Sequence, residues 1–179
     1  MPRTRRQALL FGLLMSVFMT FGMEVYNNAV KAGMHLLPGG LSNMDWSIIA
    51  GAAEELPLMV AIVFLVSNLY GNRCGRALAQ RITDPERDSE LFCNLVTIAC
   101  TTLVMCPSMS LVASVLFNVI LAGRPIAELP VIWLGTVYKN FACALLWNVF
   151  AASPAARLSF RALMSLRVPR ASVLGTQES

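Results

Sequence analysis

The sequence has few charged residues and a single histidine. Both features limit the class of protein and the kinds of binding site that it can form. Only 13% of the 179 residues are charged, whereas soluble domains average about 25%. A lone histidine, His35, cannot supply paired haem ligation and makes a histidine-based metal cluster improbable. We therefore predict no metal site and no cofactor.

Motifs that mark enzymes are also missing. The five cysteines include no C-x-x-C pair, and none falls in the connections predicted to face an oxidising compartment, which argues against a disulfide-generating enzyme. No glycine-rich phosphate loop follows a strand, and no serine-histidine constellation is present. The sequence thus favours a protein that is not an enzyme.

Apolar residues, by contrast, are abundant. Hydrophobic residues make up 56% of the chain, and its mean hydropathy is +0.63. Crossing a hydrocarbon core of about 30 Å takes roughly 20 helical residues. Four stretches are long enough, at residues 8–30, 46–69, 92–121 and 132–152. They predict an all-α membrane protein with four transmembrane helices, whose first partner is the lipid bilayer.

The positions of the Lys and Arg residues account for the net positive charge without a nucleic-acid partner. Of the 14 Lys and Arg residues, eleven lie before the first apolar stretch, between the second and third, or after the fourth. Only Lys31 and Arg124 lie at the other two connections. The positive-inside rule then places both termini and the middle linker in the cytoplasm. We predict no nucleic-acid partner.

The two halves of the chain match each other as an internal repeat. Trp46 matches Trp133 at an offset of 87 residues. At an offset of 90, the matching pairs are Met15 and Met105, Met19 and Met109, Val25 and Val115, Asn28 and Asn118, and Gly33 and Gly123. Two crossings per repeat predict two parallel helical hairpins. The predicted organisation is a first repeat at 1–70, a cytoplasmic linker at 71–90, a second repeat at 91–153 and a basic segment with a disordered tail at 154–179.

The repeated residues resemble a bacterial inner-membrane family that is built from a two-helix module and catalogued as a domain of unknown function. The resemblance rests on "LLMSVFM" and "LVMCPSM", each followed by the repeated Asn, Gly and Trp, and it covers roughly residues 8–153. The second copy departs from the first at Pro107. The resemblance implies a multi-pass protein of the bacterial inner membrane. It implies no mechanism and no site residues.

Two adjacent carboxylic acids interrupt the second predicted helix. A helical projection places Glu54 on a face of small residues, which is typical of packed membrane helices. Lys139 and Asn140 lie on the corresponding face of the fourth helix. Glu54 and Lys139 lie at depths of roughly 12 and 9 Å past the interfacial tryptophans, taking 1.5 Å per residue. We therefore predict a buried ion pair between them.

Glu55, at the edge of that face, has no predicted partner. An acid at the centre of a membrane helix costs about 2.5–3.5 kcal/mol, so Glu55 is the better candidate for a neutral acid. Polar residues of secondary interest are Glu24 and Asn28 near the outer end of the first helix, and Asn118 at the repeated position. There Glu24, Asn28 and Lys31 are expected to solvate one another.

The intramembrane charges leave two interpretations open. Glu54, Glu55 and Lys139 could form the centre of a small permease or proton-linked carrier, the default hypothesis for such residues. Alternatively, they only lock the helices of a non-transporting scaffold or accessory subunit. Four helices are narrow for a substrate path, so transport would require a homo-oligomer.

A basic amphipathic segment follows the fourth helix. It carries Arg157, Arg161 and Arg167, with leucines on the opposite side. This pattern predicts a short helix that binds anionic lipid at the inner membrane surface.

Overall fold

The regular elements of the protein are helices throughout residues 4–33 and 45–167, the part of the chain that this computed structural model describes. The α-helices are α1 (Arg5–Lys31), α2 (Trp46–Val66), α3 (Asn72–Ala79), α4 (Glu90–Ala113), α5 (Leu129–Trp147) and α6 (Ser153–Arg167). The π-helical segments are Ser67–Gly71, Ser114–Leu121 and Asn148–Ala152, and a 3-10 turn covers Ile126–Glu128. His35 and the predicted disordered tail lie outside the described residues.

Four continuous helices are long and apolar enough to cross a membrane, which confirms the all-α class and the four predicted spans. The spans are Arg5–Lys31, Trp46–Ala79, Glu90–Leu121 and Ile126–Ser165. π-helical segments join α2 to α3 and α5 to α6, so the second and fourth spans run beyond their predicted ends. At 34 residues, the second span reaches about 50 Å, longer than a hydrocarbon core. Its α3 end includes part of the predicted linker.

The helix ends have local causes in the sequence. Thr4, Asp45 and Ser89 are N-caps, and each accepts a hydrogen bond from a backbone N–H two or three residues later. Past the first and third spans, Gly33 has a φ of 84° and Gly123 a φ of 65°. Such left-handed conformations are strained for residues with a Cβ, so glycine ends both helices.

The four spans pack as an antiparallel bundle. The first span lies between the second and the fourth, because α1 contacts α2 on one side and α5 and α6 on the other. The third span completes the bundle, with α4 against both α5 and α3. The second and fourth spans therefore begin at the same end of the bundle.

Two tryptophans of α5 join neighbouring helices. Trp147 packs against Gly22 and donates its indole N–H to the Phe18 carbonyl at 2.9 Å. Trp133 donates to the Pro107 carbonyl of α4, also at 2.9 Å. Trp46, which the sequence pairs with Trp133, is 81% exposed. The two repeat-related tryptophans thus have different surroundings.

The basic segment after the fourth span packs on α1. Ala156 and Phe160 are buried, and the Phe160 ring meets Phe11 edge-to-face with 5.7 Å between centroids. Leu158 and Leu163, on the face predicted to enter lipid, are exposed. Ala156 and Phe160 are four positions apart, so they lie on one face of α6. This face packs against α1.

Candidate functional site

Small polar side chains line the interior of the bundle. Ser16, Thr20 and Glu24 are buried at four-residue intervals on α1. The third span buries a similar row, Thr102, Cys106, Ser110 and Ser114. Residues four apart share a helical face, so each span turns one polar row inward. Glu24 is the only carboxylic acid in either row.

Glu24 is the centre of a charged cluster between α1 and α2. Its side chain is almost fully buried, at 4% exposure. Its carboxyl group neighbours that of Glu55 on α2, and the two interact electrostatically. Glu55 Oε1 in turn lies 3.5 Å from Lys31 Nζ. Glu55 therefore has a lysine as its ion-pair partner and a second carboxyl group as its neighbour, and we name Glu24, Glu55 and Lys31 the carboxyl cluster.

The two acids of the carboxyl cluster lie well inside the two spans. Glu24 is seven residues before the end of α1, and Glu55 is nine residues after the start of α2. At 1.5 Å per residue, these positions are about 10 and 14 Å from the helix ends. Lys31 lies at the end of α1, where it is half exposed and where Nζ lies 4.8 Å from the centroid of the Phe117 ring. Its long side chain thus joins the helix end to the interior.

Several buried polar atoms of the bundle have no hydrogen-bond partner among the described residues. They are Glu55 Oε2, Thr20 Oγ1, Asn28 Nδ2 and Ser114 Oγ. An unmade hydrogen bond at a buried group costs about 1–3 kcal/mol. A proton held between the two carboxyl groups would turn their contact into a hydrogen bond and lower that cost for Glu55.

The predicted buried pair of Glu54 and Lys139 is wrong in the described chain. Both side chains are exposed, and the described ion pairs do not include either residue. α2 instead turns Ile48, Ala52 and Met59 inward, the face that also carries Glu55. The reason is that Glu55 has Lys31 to pair with on α1, whereas no helix of the described residues covers Glu54.

The other predicted polar residues lie apart from one another. Asn140 is buried on α5, at 7% exposure. Asn28 faces Gly51 across the contact of α1 with α2. Asn118 accepts a backbone hydrogen bond from Arg124 at 2.9 Å, within the turn that follows the third span. Lys31 pairs across helices with Glu55, not along α1 with Glu24 as expected.

A buried network around Asn148 is absent from the sequence predictions. Asn148 donates to Thr102 Oγ1 at 3.2 Å and accepts from Ser153 Oγ at 2.9 Å. It lies in the π-helical segment between α5 and α6 and connects the fourth span to the third. The four-residue spacing of Asn140, Ala144 and Asn148, all buried, is the signal that would have indicated this inward face.

No protein-family model, curated protein or solved structure matches the chain. The resemblance to the family with the two-helix module therefore stays a prediction. The site rests on its own geometry, which is a carboxyl pair and one lysine inside a bundle of membrane-spanning length.

Proposed function

We propose that this is a multi-pass protein of the bacterial inner membrane that binds a proton at Glu24 and Glu55 and works as a small permease or proton-linked carrier. The observation that carries the proposal is the buried Glu24 on α1, which neighbours Glu55 on α2, while Glu55 has a single lysine as its ion-pair partner. Intramembrane ionisable residues are costly, and they commonly mark proton relays and ion pathways.

The charges of the carboxyl cluster give it two states. With both acids ionised, Lys31 leaves one negative charge unbalanced inside the spans. With one proton shared between Glu24 and Glu55, the cluster is neutral, and the low-dielectric interior favours that state. Release of the proton restores the repulsion between α1 and α2. Proton binding is thereby linked to the packing of these two helices.

We further propose the parallel two-hairpin arrangement with both termini in the cytoplasm. The left-handed glycines Gly33 and Gly123 support it, being 90 residues apart. The buried polar rows support it too, since Ser114 is the counterpart of Glu24 at the same offset. Under this arrangement only the first repeat carries the acid, so the proton site belongs to one hairpin.

The cytoplasmic end of the fourth span is the proposed contact with anionic lipid. Arg157 and Arg161 are exposed on α6, and Arg167 ends that helix. Basic residues at a membrane surface gain roughly 1 kcal/mol each from anionic headgroups. The packing of α6 on α1 leaves Arg157 and Arg161 exposed for that contact.

Proton flux into vesicles tests the proposal. Liposomes that contain the protein, a pH-sensitive dye and a potassium ionophore for charge balance receive an external acid pulse. We expect the wild-type protein to acidify the lumen, and Glu24→Gln and Glu55→Gln to reduce the rate to that of empty liposomes, because an amide cannot exchange a proton. Glu86→Gln, an exposed acid outside the spans, is the matched control and should keep the wild-type rate.

The alternative is a non-transporting scaffold or accessory subunit. It is favoured by the Lys31–Glu55 pair, which links α1 to α2 whether or not a proton moves. Equal dye responses from wild-type and empty liposomes, together with lower thermal stability of Glu24→Gln, would support the scaffold and contradict the carrier.

A further inference from the structure

Two charged side chains lie on the outer surface of the spans, outside the carboxyl cluster. Glu54 on α2 and Lys139 on α5 are both exposed, and neither is in an ion pair with any described residue. They are eight and ten residues past the starts of their helices, which places them about 12 and 15 Å from the same end of the bundle. An acid and a base thus lie at similar depth with no ion-pair partner in the described part of the chain.

Such charges are not expected to face lipid alone. Ionisable residues in membrane spans almost always face a bundle interior, line a cavity or pair with one another. Glu54 and Lys139 do not pair within the chain, because the first span lies between α2 and the fourth span. A partner beyond the described residues would satisfy both charges.

The exposed faces that carry the two charges include several small residues. They are Ala50, Ala53, Pro57 and Ala61 on α2, and Gly135 and Ala142 on α5. A Cβ at Gly135 would meet no atom within 4 Å. Small residues let membrane helices approach closely. The sequence pattern predicts that these faces pack, and no helix covers them within residues 4–33 and 45–167.

We propose that the protein self-associates in the membrane through an ion pair between Glu54 of one copy and Lys139 of a second copy. The occupant is a second copy because one chain supplies both an acid and a base at matching depth, each on an exposed face that includes small residues. Every copy can then satisfy both charges through its neighbours. The residues of this interface are separate from the proposed proton site, whose acid on α2, Glu55, lies about 100° around the helix from Glu54.

Charge reversal in two differently tagged versions tests this interface. The tagged chains are co-expressed, extracted in lipid nanodiscs formed directly from the membrane, and purified on one tag, and recovery of the second tag is measured. We expect wild-type copies to co-purify. Each reversal paired with itself, Glu54→Lys with Glu54→Lys or Lys139→Glu with Lys139→Glu, should lose most of that recovery, because like charges then meet.

Mixing the two reversals distinguishes a lost contact from a lost fold. Glu54→Lys co-expressed with Lys139→Glu should recover co-purification, since opposite charges again face each other across the interface, and a misfolded variant could not be rescued this way. Glu128→Lys, an exposed reversal at the bundle end, should behave as wild type. Wild-type copies that do not co-purify, self-paired reversals that associate normally, or a mixture that fails to recover would each overturn the proposal.

Discussion

Gly22→Ala is expected to destabilise the bundle by about 1–3 kcal/mol, the usual cost of overpacking a well-packed interior. A methyl group at this position would occupy the space of the Trp147 indole ring. The ring is large and is held by its hydrogen bond to the Phe18 carbonyl. Relief of the overlap would move the ring and weaken that bond, so two contacts between the first and fourth spans are lost together.

Gly12→Ala is the matched control on the same helix. A Cβ at Gly12 would make an ordinary contact of 3.7 Å with Phe64. Alanine favours helix over glycine by about 1 kcal/mol, so this variant should be neutral or slightly stabilised. Unfolding by a denaturing detergent, followed by circular dichroism, compares the two variants. Equal midpoints for Gly12→Ala and Gly22→Ala would contradict the close packing of Trp147.

Lys31→Met is expected to destabilise the contact of α1 with α2 by about 1–3 kcal/mol. Breaking a buried pair commonly costs 3–5 kcal/mol, and the half-exposed position of Lys31 reduces that figure. The substitution removes the one cation from two carboxyl groups. Adding Glu55→Gln to Lys31→Met should restore most of the lost stability, because it removes the charge that was left without its partner.

A double-mutant cycle measures this coupling. The four proteins are wild type, Lys31→Met, Glu55→Gln and the double variant, compared by the same detergent unfolding. Arg124→Met is the control, since its exposed pair with Glu128 at 3.5 Å is expected to contribute only about 0–1 kcal/mol. Additive effects of Lys31→Met and Glu55→Gln would show that the two side chains are not coupled.

Length and hydropathy were sufficient to predict the four spans, because a run of about 20 apolar residues has few other structures available. The rotation of each span about its own axis, which determines the face that is buried, could not be predicted in the same way. α2 is apolar on nearly all sides, so composition does not indicate which face is buried. Glu54 and Glu55 differ by about 100° around the helix. Which of the two faces α1 depends on Lys31 and Glu24 of that helix.

The small-residue pattern did not indicate which helix faces pack together in the bundle. It placed Glu54 and Lys139 on packing faces and paired them within one chain, whereas the bundle order separates them. Asn148 was missed because its importance comes from Thr102 and Ser153. A hydrogen-bond network between two spans depends on their relative rotation, which local sequence patterns do not encode.

We propose that Glu24 and Glu55 hold one proton between them. Infrared spectroscopy of the protein in lipid can detect that proton. Protonated carboxyl groups have a carbonyl-stretch band that ionised ones lack. We predict that the wild-type protein shows this band at neutral pH, that alkaline pH removes it, and that both Glu24→Gln and Glu55→Gln abolish it. A wild-type protein without the band, or a band that survives both substitutions, would contradict the shared proton.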